Sequence, residues 1–184
     1  MWDLFLRIFH WSLAFFFLLA YFLVTDRLRL HAHAGYTVAL LVLFRVLWGV
    51  IGSRQARFVD FVVWPWKSIR YLVLLLRGRA NSYLGHNPAG AAMIVALLAC
   101  VLLTSLSGVA LFALEGSGPL ANTFVANWPG DLLAGVHEFS ANLSLALVVI
   151  HVIGVVYSSY IYRENLIKSM ITGKKKETFN GEPP

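Results

Sequence analysis

The chain has 184 residues, 59% of them hydrophobic and only 13% charged, with a mean hydropathy of +0.71; this excludes a compact water-soluble fold and leaves room for about four membrane-spanning helices of roughly 20 residues. The formal charge of +6 is not a nucleic-acid signature, because the basic residues lie between and beyond apolar runs instead of forming a basic face interleaved with aromatics. The single cysteine, Cys100, excludes an intramolecular disulfide framework, a cysteine metal cluster and a CxxCH attachment for covalent haem.

The first apolar run, residues 8–24, follows Arg7 a few residues after Met1. No small-x-small cleavage site follows it and it is rich in Phe, Trp and Tyr, so it is expected to be retained as a span rather than cleaved as a signal. The second run covers residues 33–51. A basic connection follows, with Arg54, Arg57, Lys67, Arg70, Arg77 and Arg79 against Asp60. Within it, PWKSIRYLVLLLR (65–77) is too short to span and reads as a helix lying on the membrane surface, with Trp64 and Trp66 at its start. Asn87 and Pro88 suit the N-cap and first position of a third run, residues 89–114, and the fourth run is residues 132–161. All four are helical by necessity, since lipid offers no partner to an unpaired backbone group and the alternation of barrel strands is missing. The expected fold is an all-α integral membrane protein: a four-helix bundle over residues 1–173, with a short cytoplasmic interfacial helix between helices 2 and 3 and a disordered cytoplasmic tail over residues 174–184.

Basic residues also gather after the fourth run, at Arg163, Lys168 and Lys174 to Lys176, whereas the other two connections carry only Arg27 and Arg29 beside Asp26, Glu115 and Asp131. The positive-inside rule puts both termini and the long second connection in the cytoplasm of a multi-pass protein of the bacterial inner membrane.

Six histidines in such a chain call for an explanation, because ionisable groups are costly in a bilayer and are usually retained for function. His10 lies near the inner start of helix 1 and His31 near the outer start of helix 2. His137 and His151 are 14 residues apart on helix 4, which is about 21 Å and nearly one face. His10 and His151 therefore share an inner level, and His31 and His137 an outer one. Two imidazoles without a cysteine or carboxylate make a poor zinc or copper site, but haem brings four equatorial nitrogens and needs one or two axial ligands. Bis-histidine b-type haem at both levels is the best fit. Small residues follow each histidine by about one turn (Ala14, Gly35, Ala141 and Gly154), where a flat macrocycle approaches the backbone. His33 is followed by Thr37 and points about 200° away from His31, so His31 is the preferred ligand. His33 and His86 have no assigned role.

The segments RIFHW (7–11), HAHAGY with Arg45 ten residues beyond Gly35, GHNPAG (85–90), HEFSAN followed by HVIGV, and NLIKSMITGKKK together resemble the bacterial cytochrome b561 and hydrogenase-type di-haem cytochrome b superfamily, over nearly the whole chain. The resemblance implies a four-helix quinone-reactive cytochrome with two non-covalent b haems on His10, His31, His137 and His151.

Haem propionates need cationic partners. Arg45, 14 residues after His31 and therefore at the inner level, is the leading one, with Arg7 and Arg54 as alternates and Arg27 and Arg29 at the outer level. Glu138, beside His137, is a further candidate for a propionate contact or proton transfer. Thr104, Ser105, Ser107 and Gly108 of helix 3 read as packing residues. No nucleophile–base pair, carboxylate dyad or phosphate loop is present. The expected function is electron transfer between the quinone pool and a periplasmic redox partner, a c-type cytochrome or an oxidoreductase subunit. The rivals are a superoxide oxidase that reduces quinone and a haem-free, histidine-lined transporter. Expected partners are membrane lipid, quinone or quinol and the redox protein, with no nucleic acid; a homodimer is left open, as are the direction of electron flow and the place of the quinone.

Overall fold

A computed structural model of the chain describes residues 3–23, 27–52, 56–77, 79 and 87–174. Arg54, His86 and residues 175–184, most of the expected tail, lie outside the described residues. Four helices are long and apolar enough to cross a membrane: α1 (Leu4–Phe22), α2 (Leu28–Ile51), α5 (Pro88–Leu114) and α6 (Gly130–Ile161). Between α2 and α5 lie a single-turn helix, α3 (Phe58–Phe61), and the surface helix α4 (Pro65–Leu76). A 3-10 turn (Phe124–Asn127) precedes α6, and α7 (Leu166–Thr172) follows it.

Local chemistry explains where the elements begin. Asp3 Oδ1 accepts from the Leu6 backbone N–H at 2.8 Å, so α1 starts four residues before its apolar run. Helix α2 starts at Leu28 rather than at residue 33, because Leu28 to Leu30 are good helix formers that hydropathy alone passes over. This correction places His31 within a helix. Asn87 Oδ1 accepts from Gly90 N–H at 2.7 Å with Pro88 at the first helical position, as expected.

The bundle is built from neighbours in sequence. Helix α5 packs most extensively on α6, and α2 packs on both α1 and α5, whereas α1 and α6 lie further apart. They are linked by Tyr21 Oη, which donates to Asn142 Oδ1 at 2.8 Å. All four helices contribute to a mid-depth apolar core of Phe17, Val38, Val42 and Val101, flanked by Leu13, Leu98, Leu145 and Val148. Outward-facing Phe15, Phe22, Leu40, Val50, Phe139 and Ile153 are exposed, as lipid-facing residues should be. Since lipid is as apolar as leucine, close approach and small polar contacts hold the helices together. Thr104 Oγ1, for example, donates to Ser140 Oγ at 2.9 Å across the α5–α6 seam.

Helix α4 buries Ser68, Tyr71 and Leu75 on one face and exposes Trp64, Trp66 and Ile69. Ser68 Oγ donates to Pro88 O at 2.8 Å, and the Tyr71 and Tyr162 hydroxyls meet at 2.8 Å, tying the surface helix to the ends of α5 and α6. Helix α7 was not anticipated. Asn165 caps it, Gly173 ends it in the left-handed region, and Arg7 Nη1 donates to Ile171 O at 2.6 Å, joining the two ends of the described chain.

The ring of Phe58 occupies the space a Cβ on Gly49 would need, and the Arg45 guanidinium lies 4.7 Å from that ring's centre. Gly49→Ala is therefore expected to displace Phe58 and to destabilise the protein by about 1–3 kcal/mol, in the range of overpacked cores. Thermal unfolding in detergent checks this, and adding Phe58→Ala should then cost little more, because both changes remove the same contact.

Candidate functional site

The bundle brings the four histidines together as two pairs drawn from different helices. His10 of α1 faces His151 of α6 with ring centres 6.3 Å apart, and His31 of α2 faces His137 of α6 at 6.0 Å. The apolar core separates the two levels. His33 is exposed and its Nδ1 lies 2.6 Å from Arg29 O, pointing away from both pairs.

The pair at the end away from the termini opens into a cavity of about 600 Å³, lined by His31, His137, Gly35, Ala141, Glu115 and Glu138 among others. A Cβ on Gly35 would meet nothing within 4 Å, so this glycine leaves the cavity wall open. Both histidines here are held by backbone carbonyls of helices other than their own. His31 Nδ1 donates to Ala20 O of α1 and His137 Nδ1 to Thr104 O of α5, each at 2.9 Å. The carbonyls only accept, so Nδ1 carries a proton and Nε2 is the nitrogen left to face the partner ring. Ser107 Oγ lies 3.3 Å from His137 Nδ1, and a Cβ on Gly108 would come within 2.8 Å of the ring.

Thr104, Ser107 and Gly108 thus form the seat of the His137 ring as well as a packing surface. The small-residue run around them was visible in the sequence, but which side chain it receives depends on how α5 docks on α6. Of the anticipated cationic residues, Arg45 is buried at the end that carries the termini, beneath Phe58 and within electrostatic reach of Asp3. Arg7 has Nη1 engaged by Ile171 O. Arg27 and Arg29 are exposed. Leu4, Arg7, Ile8, Trp11 and Ile171 line an open apolar groove of about 420 Å³, which neighbours His10 through Trp11, whose ring centre is 5.2 Å from that of the imidazole.

A model of the prokaryotic cytochrome b561 family matches residues 1–173, nearly the whole chain. The chain belongs to that family. It is 28% identical to a probable Ni/Fe-hydrogenase B-type cytochrome subunit of Bradyrhizobium diazoefficiens over 79% of this chain and 65% of that one. A protein of the same description in Azotobacter vinelandii is 29% identical (78% and 65% covered), and a probable Ni/Fe-hydrogenase 1 B-type cytochrome subunit of Escherichia coli K12 is 24% identical (82% and 70%). The chain thus spans just under two thirds of the length of the first two. No solved structure matches the chain significantly.

A cytochrome b561 is a membrane b-type cytochrome, which implies haem b, and the donor sets suit that group. Metal–imidazole bonds are about 2 Å long and the bonding nitrogen is about 1 Å from its ring centre, so two imidazoles sharing one metal have centres roughly 6 Å apart. Both pairs meet this condition. Among the described residues no three His, Cys, Asp or Glu converge, so neither pair forms a cage for a bare ion; a macrocycle that brings its own four nitrogens removes the deficit. His10 Nδ1 is buried with no hydrogen-bond partner among the described residues.

Proposed function

We propose that this cytochrome b561 carries two haem b groups, one on His10 and His151 and one on His31 and His137, and transfers electrons across the bacterial inner membrane between the quinone pool and a redox protein on the periplasmic side. The observation that carries the reading is the pair of imidazole–imidazole separations, 6.3 and 6.0 Å, at two depths of one bundle. The relatives' description as hydrogenase cytochrome subunits favours an oxidoreductase subunit as the partner. The crowding of Lys and Arg at the end that carries the termini favours a cytoplasmic location for that end.

When bound, each haem takes up or gives up one electron, and the protein tunes the exchange. The residues do the rest. The four imidazoles hold the groups at fixed depths, and Thr104 O and Ala20 O orient the outer two. Phe17, Val38, Val42 and Val101 keep water and ions out of the space between the levels. Arg45, buried at the inner level, is the propionate partner we favour. We assign the quinone to the groove beside His10, where apolar side chains suit a prenylated ring and Arg7 offers a donor to a quinone oxygen. The carboxylates of Glu115 and Glu138 in the outer cavity repel an anion, which argues against superoxide as the substrate there.

The test is rapid mixing of the purified protein with a short-chain quinol while the haem α band is followed. Reduction is expected in the native protein and in His137→Ala, and is expected to be lost in His10→Ala. Absence of quinol-driven reduction in the native protein, or equal reduction in both variants, would overturn the assignment.

A further inference from the structure

His31 and His137 differ from His10 in what their Nδ1 atoms touch. Ala20 O is one of the last carbonyls of α1, which ends at Phe22; among the described residues it shares the Leu23 N–H with Leu19 O, at 3.3 Å, and accepts from His31 Nδ1 at 2.9 Å. Thr104 O is reachable from His137 because Gly108 has no side chain to stand in the way. At the inner level His10 Nδ1, although buried, finds no acceptor among the described residues.

A carbonyl that draws on an imidazole N–H gives the opposite nitrogen more anionic character and makes it a stronger donor, which favours the ferric state over the ferrous. The carboxylates of Glu115 and Glu138 line the outer cavity and act in the same direction, since negative charge stabilises the more positive oxidation state. At the inner level the buried guanidinium of Arg45 acts in the opposite direction, offset in part by the carboxylate of Asp3 within its electrostatic reach.

We propose that these contacts make the His31–His137 site the low-potential site and the His10–His151 site the high-potential one, with Thr104 O and Ala20 O, admitted by Gly108 and by the early end of α1, as the positioning groups. The proposal rests on the ligand assignment above. An electron delivered at the outer end by a one-electron protein donor is then drawn inward: the outer site loses one electron, the inner site gains one, and the Nδ1 protons stay in place. Two such transfers reduce one quinone at the inner groove, with two protons taken from the adjacent aqueous phase.

The test uses His137→Gly protein supplied with imidazole or with 1-methylimidazole. Both ligate through a free nitrogen, but only imidazole offers an N–H to Thr104 O. Redox titration of the α band is expected to show the lower wave restored by imidazole. With 1-methylimidazole it should move to higher potential by about 59 mV, which corresponds to a tenfold change in the relative affinity for the two oxidation states. The low-spin ferric resonance should show that two nitrogens still bind in both cases. In His10→Gly protein the two additives are expected to give the same upper wave. Equal lower waves in the His137→Gly series, or an equal displacement in the His10→Gly series, overturns the proposal. Two unshifted waves in His137→Gly without any additive would show that His137 is not a ligand and remove the basis of the proposal. Should His137→Gly fail to accumulate, Gly108→Ala supplies the same reading: the lower wave rises and the upper stays, and an unchanged lower wave overturns the proposal.

Discussion

Replacing His137 by alanine is expected to remove one of two haems and to leave the other bound, with the polypeptide still inserted in the membrane. On the proposed ligand assignment each site depends on one pair of imidazoles, and loss of either partner would halve the axial set while the core between the levels stays intact. Disturbing groups that merely orient a metal ligand already weakens binding 10- to 100-fold, so removing a ligand outright should empty the site under purification. The haem-to-protein ratio, measured as the pyridine haemochrome, should fall from two to about one in His31→Ala and His137→Ala alike, and again to about one in His10→Ala and His151→Ala. The double variant His31→Ala/His137→Ala should lose no more than either single change, because the two residues act as a unit. The combination His10→Ala/His137→Ala should bind none. A ratio of two in any single variant would exclude that residue as an essential ligand.

A charge placed between the two sites should have a different and larger effect. Val42 is fully buried at mid-depth, packed with Phe17, Val38 and Val101. Aspartate at the centre of a membrane helix costs about 2.5–3.5 kcal/mol on insertion scales, and Val42→Asp also gives up the valine's packing. The expected result is little protein in the membrane fraction and the loss of both haems together, unlike the stepwise loss in the histidine variants. Val42→Thr is the control. Its hydroxyl can return to the carbonyl one turn earlier, so it should accumulate and retain both haems with only a modest fall in thermal stability. If Val42→Asp loses only one haem, the core does not couple the two levels.

Much of the fold was legible in the sequence because a bilayer leaves little choice. Runs of about 20 apolar residues must be helices, and neighbouring helices joined by short connections must alternate in direction. Helix starts were less legible. Asp3 extends α1 by one turn and Leu28 to Leu30 extend α2, since caps and propensity act on residues that hydropathy averages away. The C-terminal α7 was missed because it does not span and is held by tertiary bonds from Arg7 and its own cap.

At the candidate site, the sequence by itself determined which histidines fall at the same depth, because 1.5 Å of rise per residue turns spacing into height. It also identified Gly35 as a residue that leaves room. The angular separation of His31 and His33 on one helix likewise favoured His31. Only the tertiary structure decided that α5, which contributes no histidine, holds His137 through Thr104 and Gly108. The reason is geometric. Depth is a property of one helix, but a hydrogen bond to a neighbour's backbone depends on how two helices are rotated and how closely they approach, and that is set by packing along their whole length.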